Sequence, residues 1–185
     1  MQILHLDSHL VVVNKPAGLL VHRSAIDRHE MRFALQEVRD QIGRKVYPVH
    51  RLDKPTSGAL LFALSPDAAR AMMEQFATGA VRKHYLAVVR GHVAEADVID
   101  HPLTEEPDAM TDTRAGRNKG AQHAITAYRC LARAELPQPS GRYATSHFSL
   151  VQAFPKTGRK HQIRRHMKHI SHPIVGDTTH GDGRQ

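Results

Sequence analysis

The sequence predicts an α+β fold with a central, largely antiparallel mixed sheet and helices packed outside it. Three observations lead there. Short β-type runs fill the first third of the chain, two long strand candidates follow one another across a Pro/Gly turn, and only three stretches carry helical periodicity. At 185 residues the chain suits a single domain over 1–185, made of one core or two tightly joined lobes.

Ile3 to Leu6 and Leu10 to Asn14 flank the turn formers Asp7 and Ser8, so a hairpin should open the fold. Asn14-Lys15-Pro16-Ala17-Gly18 breaks it. Met31, Leu35, Val38 and Ile42 recur at helical spacing, and Gly43 can end that helix in a left-handed conformation. Val46 to Val49 and Ala59 to Leu64 read as strands around a loop rich in Asp, Pro, Thr, Ser and Gly. Ser65 then caps a helix that has Pro66 and Asp67 in its first turn and Gly79 beyond its end. Val81 to Arg90 reads as a long, mostly buried strand, and Ala124 to Leu136 and Tyr143 to Phe154 as two more, turned at 137–141. The polar, aperiodic stretch 104–120 is the expected lobe boundary. Last, Ile163, Met167 and Ile170 line one face of a helix while Lys160, Arg164 and Lys168 form an adjacent basic row.

Composition narrows the function. The longest apolar run, Ala59 to Leu64, is far too short to span a bilayer, so no membrane association is expected. The first twenty residues do not have the basic start and long apolar stretch of a signal peptide, which points to a cytoplasmic protein. A lone cysteine, Cys130, can form neither an internal disulfide nor a cysteine-based zinc site, and in a strand it suits a small buried position. Net charge is +8, with 15 His besides, which favours a polyanionic partner. The charge is uneven: Glu95 to Asp112 holds seven acids and no Lys or Arg, whereas Lys156 to His172 holds six Lys or Arg and no acid. A solvated helix face is the plainer reading of such a run.

Several residues could do chemistry. Asp53 ends His50-Arg51-Leu52-Asp53 and enters a tight loop, where a carboxylate can be held toward a cleft, although the local pattern alone favours a turn former. A nucleophilic carboxylate must stay ionised, which a neighbouring guanidinium ensures, and Arg164 can supply one. Tyr85 offers a flat face for stacking a base, although a strand tyrosine is ordinarily core. The spacing of His161, His166, His169 and His172 fits no common metal motif, so no metal is expected.

His50-Arg51-Leu52-Asp53-x-x-Thr56-Ser57-Gly58, Lys83-x-Tyr85 and Gly158-Arg159-Lys160-His161-Gln162-Ile163-Arg164 resemble, in order, the three active-site motifs of RluA-type RNA pseudouridine synthases. Val13-Asn14-Lys15-Pro16-x-Gly18 and His172-Pro173-Ile174-Val175-Gly176-Asp177 are similar to that family too, so the resemblance runs from about Ile3 to the last residue. The seven fixed positions of the Asp loop would match by chance about once in 10⁹ placements. Val21-His22-Arg23-Ser24-x-x-Asp27-Arg28, Lys156 to His161 and Thr179-His180-Gly181-Asp182 resemble the subgroup that modifies uridine 65 of tRNA.

The resemblance implies the pseudouridine synthase fold, with a catalytic cleft across the sheet. It implies isomerisation of a tRNA uridine with no metal or organic cofactor and no obligatory protein partner. Asp53 would be the nucleophile, adding to ribose C1′ or uracil C6, and Arg164 would pair with it. Tyr85 would stack on the uracil, Ile163 would line its pocket, and Arg51 would fill the gap left by the flipped base. Lys156, Arg159, Lys160, Arg165 and Lys168 would meet phosphates. The family pattern also runs on for several tens of residues past His180-Gly181-Asp182, so a C-terminal truncation is expected. Three rival functions remain: a ribosomal RNA target within the family, a basic RNA-binding or tRNA-remodelling module without catalysis, and a metal-dependent nuclease, which should lose activity with chelator.

Overall fold

The structure is a computed structural model that describes residues 1–23, 30–104, 120–139 and 144–181. These divide into two compact units, one over Met1–Val81 and one beginning at Arg82. The expected boundary loop at 104–120 lies, except for its ends, outside the described residues, as do Ser24, Asp27, Arg28 and Asp182.

The first unit contains β1 (Gln2–Leu6), β2 (Leu10–Lys15), α1 (Ala34–Ile42), β3 (Tyr47–Pro48), β4 (Gly58–Ala63) and α2 (Pro66–Ala77). Its strands form an antiparallel sheet in the order β1-β2-β4-β3. Asp7 makes the first hairpin: its Oδ1 accepts the backbone N–H of His9 and Leu10, both at 2.7 Å. Alternation along β2 buries Val11 and Val13 against Leu60 and Phe62, and the same parity turns Lys15 inward.

The helix α1 starts later than its spacing suggested. Phe33 is its N-cap in an extended conformation, so Met31 precedes the helix, does not follow its period, and is 88% exposed. Phe33, Ala34 and Val38 are the residues buried there, and Gly43 ends the helix at φ 69° as expected. Ser65 caps α2 by accepting the N–H of Ala68 at 3.2 Å.

The second unit contains β5 (Tyr85–Arg90), β6 (Ala96–Asp100), β7 (Ile125–Leu136), β8 (Ser146–Pro155) and α3 (Gln162–His169). The sheet order is β5-β8-β7-β6, again antiparallel throughout. Met167 of α3 packs with Val89, Val93, Ile99, Tyr128 and Val151, with Ile163, Ile170 and Cys130 half-buried at the margin. The α+β class therefore holds, with the strands among the described residues in two four-stranded antiparallel sheets.

Two details depart from the sequence reading. The strand expected from Val81 begins only at Tyr85, and it is buried on one side alone. Ala87 and Val89 face the core that Met167 completes, while Leu86 and Val88 alternate to the other face and are exposed. β6 was not anticipated, because Asp97 and Asp100 interrupt a short run whose strand signal is only Val98-Ile99.

Candidate active site

The Asp53 loop leaves β3 and returns as β4, and its backbone closes through Thr56 N–H donating to Asp53 C=O at 3.0 Å. Leu52 anchors it in the core and Asp53 is half-buried, whereas Arg51 is exposed. The loop is tied to the Asn-Lys-Pro turn from two sides. Gly18 N–H donates to Lys54 C=O at 2.8 Å, and the Lys15 ammonium donates to the carbonyls of Leu19, Pro16 and Lys54 at 2.7, 3.0 and 3.2 Å. Gly18 sits at φ 83°, a conformation that favours glycine. Lys15 has no exposed surface, and burial pulls its pKa down to about 8 against the opposing pull of the Asp53 carboxylate. His50 accepts the Leu61 N–H through Nε2 at 3.0 Å and stacks on Phe76, which fixes the loop's entry.

In the second unit, Tyr85 is the first residue of β5, half-buried and opposite Ala153 of β8. Two residues upstream, Lys83 donates to the carbonyl of Thr157 at 3.2 Å, tying the start of β5 to the turn before α3. Burial lowers the Lys83 pKa. That turn ends in His161, which caps α3 in the left-handed region at φ 53° and lies 2.8 Å from buried His180, ring nitrogen to ring nitrogen.

Arg164 projects from α3 onto Asp177. Its Nε and Nη2 donate to the two carboxylate oxygens at 2.7 and 2.8 Å, a bidentate pair whose side chains are 13% and 4% exposed. Asp177 Oδ1 also accepts the N–H groups of His180 and Thr179 at 2.9 and 3.0 Å. Burial alone would raise the Asp177 pKa, but the Arg164 bonds and the two backbone donors hold it well below the usual carboxylate range. Asp177 ended a recognised motif without an assigned role, and this geometry supplies one: it aims the guanidinium.

The residues singled out for the site thus fall in two places: Arg51 and Asp53 in the first unit, Tyr85, Ile163 and Arg164 in the second. Ile163 packs on the second unit's core, as its periodicity required. Of the basic side chains, Lys156, Arg159 and Lys168 are exposed and Lys160 is half-buried. Arg159 Nε donates to the His123 carbonyl at 3.1 Å, and Arg165 donates to the carbonyl and hydroxyl of Thr104 at 2.9 and 3.3 Å, so both guanidiniums also brace the fold. Among the described residues no three His, Cys, Asp or Glu side chains gather as metal ligands.

Sequence reasoning gave no role to Lys15, Gln162, His166 and Asp177, all within or beside the recognised motifs. An inward lysine at the end of an alternating strand was the available signal for the first. For Gln162 and His166 it was their spacing of four on an otherwise apolar helix face.

Residues 9–169 match the family model described as RNA pseudouridylate synthase. A Vibrio cholerae protein named tRNA pseudouridine synthase C is 56% identical over 183 residues, covering 99% of this chain and 75% of its own length. A Pectobacterium carotovorum protein of the same name is 56% identical over 98% of this chain and 48% of its own length. Among solved structures, human RNA pseudouridylate synthase domain containing 1 superposes with a TM-score of 0.74 at 28% identity, over 98% of this chain and 69% of that one. Human RNA pseudouridylate synthase domain containing 4 gives 0.69 at 34% identity and the same coverage. The motif order, the antiparallel α+β architecture and these likenesses agree, and the chain belongs to the RNA pseudouridylate synthase family.

Proposed function

We propose that this chain isomerises a uridine of tRNA to pseudouridine, at position 65, with Asp53 as nucleophile. The observation that supports this most is the Asp53 loop itself. A carboxylate carried in the full family motif sits on a backbone pinned by Gly18 and by the buried Lys15 ammonium. The names of the relatives from Vibrio cholerae and Pectobacterium carotovorum favour tRNA as the substrate.

The carboxylate adds to ribose C1′ or uracil C6 as the N-glycosidic bond breaks. The uracil turns, C5 bonds to C1′, the carboxylate leaves, and C5 loses its proton. Atoms balance within the nucleotide, so the reaction draws on no oxidant or second substrate. A fixed anion beside a developing oxocarbenium is the electrostatic logic that retaining glycosidases use. Arg164, aimed by Asp177, is the positive partner in this reading; Tyr85 stacks on the uracil, Ile163 walls its pocket and Arg51 replaces the flipped base. Exposed Lys156, Arg159 and Lys168, with Lys160 and Arg165, contact phosphates, so affinity should fall steeply with salt.

Tritium release from [5-³H]uridine-labelled tRNA measures the reaction, because only bonding at C5 frees that hydrogen. The wild-type chain should release it. Asp53→Ala should release none while binding tRNA within a few fold of wild type. Full release by Asp53→Ala would overturn the mechanism. Loss of a ribosomal pseudouridine, with every tRNA pseudouridine retained, in cells without the gene would overturn the tRNA assignment.

A further inference from the structure

Beneath α3 four side chains form a continuous hydrogen-bonded chain: Thr157, Gln162, Thr126 and His166. Thr126 and His166 have no exposed surface and Gln162 has 5%. Proton positions on hydroxyl, amide and imidazole groups must be inferred from partners, and here the partners at both ends are backbone groups with one possible role each. Arg159 N–H can only donate, and it meets Gln162 Oε1 at 2.9 Å. The Ile125 carbonyl can only accept, and it meets Gln162 Nε2 at 2.9 Å. The amide orientation is therefore fixed.

The rest follows in sequence. Thr157 Oγ1 accepts the Ile125 N–H at 3.0 Å and donates to Gln162 Oε1 at 2.7 Å. Gln162 Nε2 donates to Thr126 Oγ1 at 3.0 Å. At the far end the His101 carbonyl lies 3.0 Å from His166 Nε2, so that nitrogen carries a proton and donates. His166 Nδ1 then accepts the Thr126 hydroxyl at 2.9 Å. Every group is satisfied, and all bonds run in one direction.

A second proton on His166 would break that order. Nδ1–H would point at a hydroxyl that already receives the Gln162 amide, and the Thr126 proton would have to turn elsewhere in a fully buried place. The charged groups around His166 do not favour the cation either. Burial lowers its pKa most, the His101 backbone bond opposes, and the Coulombic effects of His101, His169 and Arg165 lower it further.

Gln162 and His166, four apart, share the buried face of α3, whereas Arg164 lies half a turn away on the side where Asp177 holds it. The helix is thus gripped from both sides. We propose that Gln162, Thr126 and His166 are positioning residues for Arg164, fixing the roll of α3 through a one-directional chain that requires neutral His166 with its proton on Nε2. The positioning role rests on the reading of Arg164 as an active-site residue; the proton arrangement does not.

Two measurements separate them. In ¹⁵N-labelled full chain at neutral pH, His166 should show a protonated Nε2 and an unprotonated Nδ1, and should keep that state below the pH at which exposed histidines protonate. A proton on Nδ1 at neutral pH would sink the chain, whether or not the protein is active. For function, Thr126→Val keeps the shape and removes the hydroxyl, while Thr126→Ser keeps the hydroxyl. Thr126→Val should lower kcat for tritium release about 10- to 100-fold with KM for tRNA within about twofold, and Thr126→Ser should restore most of it. A kcat within twofold of wild type in Thr126→Val, or no recovery in Thr126→Ser, would overturn the positioning role. A wild-type chain that releases no tritium would instead count against the enzymatic reading, with the NMR result still deciding the proton arrangement.

Discussion

In the first unit a buried ammonium holds the loop that carries Asp53, whereas in the second a buried carboxylate and a run of neutral groups hold the helix that carries Arg164. Lys15 binds three carbonyls, so its charge is met by dipoles, with Asp53 the anion that opposes its lowered pKa. Arg164 and Asp177 meet as full charges with two parallel bonds. The contrast teaches that two supports can depend on pH in different ranges, because one contains a desolvated cation and the other a stabilised anion on one side of a helix and a buried imidazole on the opposite side.

The largest effect should come from breaking the ion pair. Asp177→Ala leaves a nearly buried guanidinium without its carboxylate, which costs roughly 3–5 kcal/mol for such sites. Urea unfolding should show it, and Asp177→Asn, which keeps the shape and some hydrogen bonding, should lose less. Equal stability of wild type and Asp177→Ala would mean that the pair is not what holds Arg164.

A smaller effect distinguishes the first unit. The Lys15 pKa is depressed in the fold, so its burial opposes stability in full below about pH 8, and that opposition fades as pH rises toward the ordinary lysine value of 10.5. Against Lys15→Met, wild type should gain on the order of 3 kcal/mol between those limits. A flat difference across that range would show that the ammonium is not desolvated.

The smallest effect lies at the acid end, in the second unit. His166 is also depressed, so its neutral state supports the fold above the ordinary histidine value and that support is lost as pH falls below it. Relative to His166→Gln, wild type should weaken below about pH 6.5 and not above it. Lys15 and His166 thus mark opposite ends of the pH scale from different units.

Much of this was legible in the sequence, for reasons that particular residues make plain. Asp7, Ser65 and Gly43 act through local chemistry, so hairpin, cap and helix end could be read from neighbours alone. Asp53, Tyr85 and Arg164 were singled out through ordered motifs, which name candidate residues without their geometry. What escaped depended on distant partners. Nothing near Met31 reveals that the helix begins only after an extended Phe33, and nothing near Gln162 reveals that Ile125, Thr126 and Thr157 will surround its amide. The acidic interruptions of β6 hid a strand that exists because β7 offers it a partner.

The register of the two sheets has a consequence for how the chain reaches this state. In the second unit the β7–β8 ladder starts with Leu136 opposite Ser146 and zips toward Thr126 opposite Pro155. In the first, β2 must find β4 with Leu10 opposite Ala63. Closing a loop of about fifty residues instead of about ten costs roughly 1.5 kcal/mol more in chain entropy before any contact compensates. The β7–β8 pairing, on which α3 packs, is thus entropically easier to close than the β2–β4 pairing that joins the β1–β2 hairpin to the strand returning from the Asp53 loop.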